Sequence, residues 1–184
     1  GTEDSLYSYT FEASDVDSGD TMTYGATKLP SWLSINSSTG VLSGIPKNLD
    51  VGTHSVVLTA TDSSGAVDTQ SFTVTVANVN DTPTVTSTAI MASTEDSAYS
   101  YKFAASDADS GDNLTYSATK LPSWLSFNAG SGVLSGTPTN SEVGTHSVVL
   151  TATDSSGAVD TQSFTITVAN VNDTPTVTST AVTS

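Results

Sequence analysis

The chain has 184 residues, with 4 Lys plus Arg against 19 Asp plus Glu, and its formal net charge is −15. Such a charge repels nucleic acid and anionic membrane surfaces and favours a cation as partner. Cysteine is absent, which excludes disulfides, thiolate zinc sites and cysteine nucleophiles. No apolar run approaches the roughly 20 residues that a membrane span requires, so we expect no membrane insertion.

The sequence is a tandem repeat. A shift of 92 residues aligns Tyr24 with Tyr116 without insertion or deletion, and residues 51–73 are identical to residues 143–165. Self-similarity of this kind is typical of arrays in which each repeat forms one structural unit. Neighbouring repeats of the same protein are therefore expected partners of each unit.

Each repeat is long enough to bury a core of its own. We predict domains at residues 1–81 and 82–173, followed at 174–184 by the start of a further repeat. Gly1 is neither an initiator Met nor the beginning of a signal peptide, so we expect the chain to belong to a longer protein.

Apolar and polar residues alternate along several segments of each repeat. In the first repeat these segments are Tyr7–Phe11, His54–Ala60 and Phe72–Val76. A period of two predicts half-buried strands, and Gly and Pro between them at roughly 8–12-residue spacing are typical of an all-β sandwich. No segment shows a sustained helical period, and the interleaved Trp, Tyr and Phe residues exclude a disordered Ser/Thr-rich stalk.

Three segments of the first repeat carry a family resemblance: YGATKLPSWLSIN from Tyr24, TGVLSGIP from Thr39 and GTHSVVLTATDSSG from Gly52. The second repeat has the same elements between Tyr116 and Gly157. Together they resemble the dystroglycan-type cadherin-like repeat, a family also described as immunoglobulin-like, over nearly all of both repeats. The resemblance implies two tandem Greek-key β-sandwiches of seven strands each, in a large extracellular or cell-surface protein.

The acidic residues also resemble the wider cadherin pattern, in which calcium is held between successive domains. That pattern has an acid near the domain start, a second acid further on, an Asp/Asn-rich linker, a D-x-D pair and a lone Asp in a turn. The ligands that it implies here are Glu3, Asp50, Asn78, Asn80, Asp81, Asp107, Asp109, Asp112, Asn113 and Asp154. Asn78 and Thr82 stand where the cadherin linker has Asp and Asn.

The chemistry of these residues points to the same ion. Ca²⁺ takes six to eight oxygen ligands, and a D-x-D pair on a turn, such as Asp107-Ala108-Asp109, aims two carboxylates at one point. Without an ion the converging carboxylates would repel each other, so we expect Ca²⁺ to stiffen the junction between the repeats. The alternative is that these acidic side chains only keep surface loops hydrated and raise the solubility of the protein. An EF-hand at Asp15–Asp20 is excluded, because Ala26 stands where its bidentate Glu should be.

Two incomplete copies of this ligand set are expected at the ends of the chain. The upper one consists of Asp15, Asp17, Asp20 and Asp62, and the lower one of Glu95, Glu142, Asn170, Asn172 and Asp173. Because each has ligands from only one domain, we predict that both bind calcium weakly.

The cadherin-like pattern also implies that Thr84–Ser93 is the first strand of the second repeat, and that the first repeat has no such strand. The equivalent segment, Thr176–Ser184, follows the second repeat. We expect this segment to be disordered or to pair with the open edge of the first repeat in a neighbouring molecule.

Two functions follow from these observations. The first is a calcium-stiffened extension or adhesion segment, with homophilic contacts between like repeats left open. The second, suggested by bacterial members of the family, is a carbohydrate-binding module on a polysaccharide-degrading enzyme, which would need exposed coplanar aromatic side chains. Trp32 and Trp124 are expected in the core instead.

His54 and His146 have no second His or Cys to complete a site, so we predict that the chain is not an enzyme.

Overall fold

The computed structural model describes residues 1–181. Its regular elements are β-strands and two 3-10 helices of three residues each, joined by turns and loops. The chain divides into two compact units. The first comprises Gly1–Asp81 with Ala108–Gly111, and the second comprises Thr82–Asp107 with the residues from Asp112 onward. The prediction of two tandem all-β sandwiches is confirmed. No helix within residues 1–181 is long and apolar enough to cross a membrane.

The first unit consists of two antiparallel sheets. Its strands are β1 (Tyr7–Thr10), β2 (Thr23–Lys28), β3 (Ser34–Ile35), β4 (Val41–Gly44), β5 (Gly52–Thr61) and β6 (Val67–Val76). One sheet has the order β1-β4-β3 and the other has the order β2-β5-β6. The 3-10 helix Asn48–Asp50 leads into β5, which pairs with β6 along its whole length.

The core of the first unit joins its two sheets. Leu42 of β4 contributes to one cluster with Val56 and Leu58 of β5, and all three are fully buried. Burial alternates along β5, as the period of two in the sequence predicts. The cluster therefore holds the sheets face to face by burying apolar surface from both.

The second unit repeats this plan with additional short strands. They are β7 (Thr84–Val85), β8 (Ala92–Thr94), β9 (Tyr99–Lys102), β10 (Ala105–Ser106), β11 (Thr115–Lys120), β12 (Leu125–Asn128), β13 (Val133–Gly136), β14 (Gly144–Thr153) and β15 (Val159–Ala169). The sheets have the orders β12-β13-β9, β11-β14-β15-β8 and β10-β7, and the 3-10 helix Asn140–Glu142 leads into β14. Phe103, Leu134 and Leu150 are fully buried in its core.

The first strand of the second unit differs from the expectation. Thr84–Ser93 was expected to form one strand, but β7 pairs antiparallel with β10, whereas β8 pairs in parallel with β15. Residues 86–91 cross between these two pairings. In the first unit an isolated parallel bridge between Thr2 and Ala77 is the counterpart of the end of β8.

The segment after β15 has no regular structure where the structure describes it. Residues 170–181 are exposed and contain no strand, and Val177 is 84% exposed. The expected segment Thr176–Ser184 extends beyond this part, because residues 182–184 lie outside the described residues. Whether this segment pairs with another molecule therefore stays a prediction.

Candidate metal centre

Three carboxylates converge at one end of the second unit. Asp107 and Asp112 lie in the loop between β10 and β11, and Asp154 directly follows β14 in the turn to β15. One carboxylate oxygen of each lies within 4.8 Å of the other two. The fold thus brings together acids that are more than 40 residues apart in the sequence.

Local hydrogen bonds hold two of these side chains in place. Oδ1 of Asp154 accepts the backbone N–H groups of Ser156 at 2.9 Å and Ala158 at 2.7 Å, which closes the β14–β15 turn. Oδ1 of Asp112 accepts a hydrogen bond from the hydroxyl of Ser155. Oδ2 of Asp112 is buried and accepts no hydrogen bond from the residues that the structure describes. A buried carboxylate oxygen without a donor is costly unless a cation satisfies it.

The electrostatics of this cluster favour a divalent cation. Two carboxylate charges within 4.8 Å of each other repel by at least about 3 kcal/mol at an effective dielectric constant near 20. A cation between the oxygens would convert that repulsion into attraction. Oxygen donors alone suit a hard ion such as Ca²⁺. The donor set therefore fits the calcium ion that the sequence predicts.

The first unit has an acidic cluster in the equivalent loop, in a more exposed form and with a different third member. One oxygen from each of Asp15, Asp17 and Asp20 lies within 4.8 Å of the others, and Asp15 and Asp17 are exposed. Oδ1 of Asp62 accepts the N–H groups of Ser64 at 2.9 Å and Ala66 at 2.8 Å, as Asp154 does in its own turn. The structure therefore brings together three of the four acids of the upper incomplete site.

Glu3 and Glu95 occupy equivalent buried positions, each only 1% exposed. Oε1 of Glu3 accepts the N–H of Val79 at 2.6 Å, and Oε1 of Glu95 accepts the N–H of Val171. In both, Oε2 is buried without a hydrogen-bond partner among the described residues. Each Glu thus fixes the residues that follow its unit's last strand and retains one carboxylate oxygen for a further ligand.

Asp81 and Asp109 are in contact within the first unit. The backbone N–H of Asp81 donates to Oδ2 of Asp109 at 2.8 Å, and Asp109 is 8% exposed. The side-chain amide of Asn48 donates to Oδ2 of Asp81, and that of Asn140 donates to Oδ2 of Asp173 at 2.5 Å. The predicted ligand set did not include Asn48. The sequence did contain a sign of its role, because Asn140 stands at the same position of the second repeat.

Asp50 and its counterpart Glu142 have a local role in the structure. Each carboxylate accepts the backbone N–H of the residue that precedes its 3-10 helix, Lys47 at 2.9 Å or Thr139 at 2.8 Å. The hydrogen bond from the Thr139 hydroxyl, together with that backbone bond, lowers the pKa of Glu142. Both acids therefore stabilise the turn before β5 or β14.

The remaining predicted ligands are on the surface. Asn78, Asn80 and Asn113 are exposed, and the side chain of Asn80 donates to the carbonyl of Asp81 at 2.8 Å. The structure thus groups Asp107, Asp112 and Asp154, and separately joins Asp81 to Asp109. Glu3 and Asp50 have the separate hydrogen bonds described above.

The tryptophans pack as the sequence predicts. Trp32 is half-buried and meets Tyr7 and His54 edge to face, at interplanar angles of 86° and 82°. Trp124 has the same arrangement in the second unit. Each indole therefore packs against its core cluster and two other rings rather than standing on the surface as an open platform for a sugar.

Comparison with known proteins gives a family match for each of the two units. The model of a family described as "Putative Ig domain" matches residues 1–77 and again residues 82–169. The chain is also 37% identical, over 146 residues, to the "Serine-rich adhesin for platelets" of Staphylococcus aureus (strain MRSA252). This match covers 78% of the chain and 10% of the adhesin, so the chain spans a small part of that relative's length.

Solved cadherin structures share the fold. Human protocadherin-24 EC1-2 matches with a TM-score of 0.56 and 20% identity, covering 89% of this chain and 88% of that one. Drosophila N-cadherin EC1-4 matches with a TM-score of 0.54 and 16% identity, covering 88% of this chain and 44% of that one. An endo-fucoidan hydrolase of glycoside hydrolase family 107 covers 93% of this chain at 26% identity, but its TM-score of 0.44 is too low to carry an argument.

Proposed function

Because the chain belongs to this immunoglobulin-like family, we propose that it is a calcium-binding segment of an extracellular adhesion or extension protein, stiffened when the ion binds. The observation that carries the proposal is the convergence of Asp107, Asp112 and Asp154 within 4.8 Å. A cluster of that kind costs stability without a cation and gains it with one. The buried, unsatisfied Oδ2 of Asp112 supports the same conclusion independently.

We further propose that the ion draws on the other predicted ligands of the linker region. Glu3 supports this extension, because its buried Oε2 has no hydrogen-bond partner among residues 1–181. The hydrogen bond from the backbone N–H of Asp81 to Oδ2 of Asp109 also supports it, because it brings two further residues of the set into contact. Ca²⁺ needs six to eight oxygens, more than three monodentate carboxylates supply, so additional donors are required. Asp50 is the weakest member of the set, because its carboxylate serves the turn at Lys47.

The adhesion part of the proposal depends on the relatives. The staphylococcal protein is named as an adhesin for platelets, and two similar solved structures are cadherin EC domains. We propose that this chain likewise lies outside the cell, with neighbouring repeats of the same protein as its immediate partners. The domain boundaries 1–81, 82–173 and 174–184 belong to this proposal.

No specific observation favours the carbohydrate-binding alternative. It required exposed coplanar aromatic side chains, whereas Trp32 and Trp124 are half-buried and pack edge to face against neighbouring rings. The absence of enzymatic activity stays a prediction.

A calorimetric titration of the chelator-treated chain with Ca²⁺ tests the proposal. We expect saturable binding that Asp112→Asn weakens by roughly tenfold or more, because calcium affinity depends on the number of charged ligands. Asp96→Asn is the matched control: Asp96 is exposed at a φ of 58°, a conformation that Asn tolerates. Absence of binding, or equal affinities for the two variants, would contradict the proposal.

A further inference from the structure

One side-chain amide in each unit contacts an acid that follows the unit's last long strand. Nδ2 of Asn48 donates to Oδ2 of Asp81, and Nδ2 of Asn140 donates to Oδ2 of Asp173. In both pairs the donor and the acceptor are 33 residues apart in the sequence. The bond in the first unit is partly buried, whereas the bond in the second unit is exposed. The fold thus brings the same two residue types together twice.

The asparagine is the same in both repeats although its neighbours are not. The side-chain bond of Asn48 is made to Asp81 and not within the 3-10 helix that Asn48 begins. The helix accepts different residues around the asparagine, so the need for an amide lies in the contact with the acid. The neighbours that differ are Lys47, Leu49 and Asp50 in the first repeat, and Thr139, Ser141 and Glu142 in the second.

The 3-10 helix Asn48–Asp50 gives the amide a fixed origin. Oδ2 of Asp50 accepts the N–H of Lys47 at 2.9 Å, and the N–H of Asp50 donates to the carbonyl of Lys47 at 2.7 Å. Nε2 of His54, in β5, lies 2.6 Å from the carbonyl oxygen of Asp50. Asn48 therefore extends from a backbone that is held on both sides. A donor on such a supported turn can orient its partner more precisely than a donor on an unsupported loop.

Asp81 itself lies after β6 and outside the regular strands. Its backbone N–H donates to Oδ2 of Asp109 at 2.8 Å, and its carbonyl accepts the side-chain amide of Asn80 at 2.8 Å. Both of these bonds hold the backbone of Asp81. The amide of Asn48 engages the carboxylate, and a donor on one oxygen restricts the rotation of the whole group.

We propose that Asn48 is a positioning residue that orients the carboxylate of Asp81 for calcium. The inference rests on the proposed function, because Asp81 belongs to the ligand set of that function. Residues that hydrogen-bond a metal ligand fix its orientation, and their loss typically costs roughly 10–100-fold in metal affinity. Asn140 would orient Asp173 in the same way.

The chemistry of the amide suits this role. It donates a hydrogen bond to the carboxylate without adding a charge, whereas an acid at the same position would repel Asp81. The other role open to an asparagine is to bind the ion directly through its carbonyl oxygen. The two roles differ in one respect that can be measured, since only a positioning residue depends on the presence of Asp81.

A calorimetric titration of the chelator-treated full chain with Ca²⁺ tests the proposal. We expect Asn48→Ala to raise the Kd roughly tenfold. A hydrogen bond that only stabilises the fold is present with and without the ion, so its loss does not change the Kd of a chain that stays folded, which circular dichroism verifies. Asn140→Ala is the matched control: it removes the same amide at the equivalent position, where its partner is Asp173. It should leave the Kd of the tightest site unchanged.

A double-mutant cycle shows whether Asn48 acts through Asp81. Asp81→Ala should weaken binding roughly tenfold or more, and Asn48→Ala should add less than about twofold in that background, because the carboxylate that it orients is gone. A direct ligand would weaken binding equally in both backgrounds. Equal effects in the two backgrounds, or an unchanged Kd in Asn48→Ala, would overturn this inference alone, since wild-type binding would still support the proposed function. Absence of binding to the wild-type chain would overturn both.

Discussion

The backbone N–H of Val85 donates to Oδ2 of Asp160 at 2.8 Å, which anchors the first strand of the second unit to β15. Oδ1 of the same carboxylate accepts the N–H of Thr161 at 2.7 Å. In the first unit Asp68 makes the equivalent local bond to Thr69 at 2.8 Å. The two aspartates thus differ by the one bond to Val85.

That difference makes a matched pair of substitutions informative. Asp160→Ala should destabilise the second unit by roughly 1–2 kcal/mol more than Asp68→Ala destabilises the first, because it alone leaves the N–H of Val85 without its charged acceptor. Urea unfolding of both variants, followed by tryptophan fluorescence, measures the two costs. Equal costs would show that the bond to Val85 contributes nothing to stability.

A glycine at the end of β13 allows a close backbone contact. A Cβ at Gly136 would lie 2.0 Å from the carbonyl oxygen of Trp124, whereas one at Gly130 would meet only Oδ1 of Asn128 at 3.6 Å. Gly136→Ala should therefore cost roughly 2–4 kcal/mol and Gly130→Ala under about 1 kcal/mol. Thermal unfolding distinguishes them, and similar melting temperatures for the two variants would contradict the packing around Trp124.

The strands could largely be predicted from the sequence because alternation of apolar and polar residues encodes them directly. β5 was expected at His54–Ala60 and extends over Gly52–Thr61. The first strand of the second unit could not be predicted in detail. Thr84–Ser93 is mostly polar, so its division between two sheets depends on partners such as Asp160 that lie far away in the sequence.

Part of the candidate site could be predicted from the sequence, because its acidic residues stand next to predicted turns. Asp107, Asp112 and Asp154 converge, since each lies in the loop or turn after a strand at the same end of the sandwich. The hydrogen bonds of Asp50 were not anticipated, because a carboxylate near a turn can serve the backbone as readily as a metal. Sequence spacing alone does not distinguish these two roles.

Tyr99 should make the second unit sensitive to alkali. Burial, with a smaller effect of Tyr101, raises the pKa of Tyr99 from 10.0 to about 12. The folded state therefore keeps a proton that the unfolded state releases, so the stability from the neutral phenol is complete below pH 10 and is lost as the pH rises towards 12. In Tyr99→Phe the free energy of unfolding should therefore fall less steeply as the pH rises above 10. Ionisation of Tyr99 near pH 10 in the folded protein, seen by phenolate absorbance, would contradict this prediction.

The two repeats should differ in calcium affinity. Asp109 is 8% exposed and contacts Asp81, whereas its counterpart Asp17 is exposed. Asp109→Asn should therefore weaken calcium binding strongly and Asp17→Asn only slightly, because the cluster of the first unit has fewer buried ligands to hold an ion. Calorimetry on the two variants provides the comparison. A tighter or equal site at Asp15, Asp17 and Asp20 would contradict this prediction.

The central claim, that calcium stiffens this pair of repeats, is tested most directly by small-angle X-ray scattering of one sample with saturating Ca²⁺ and with excess chelator. We predict that removal of calcium broadens the distribution of dimensions while circular dichroism shows both sandwiches still folded, because each has its own core. Identical scattering profiles in the two conditions would contradict the claim.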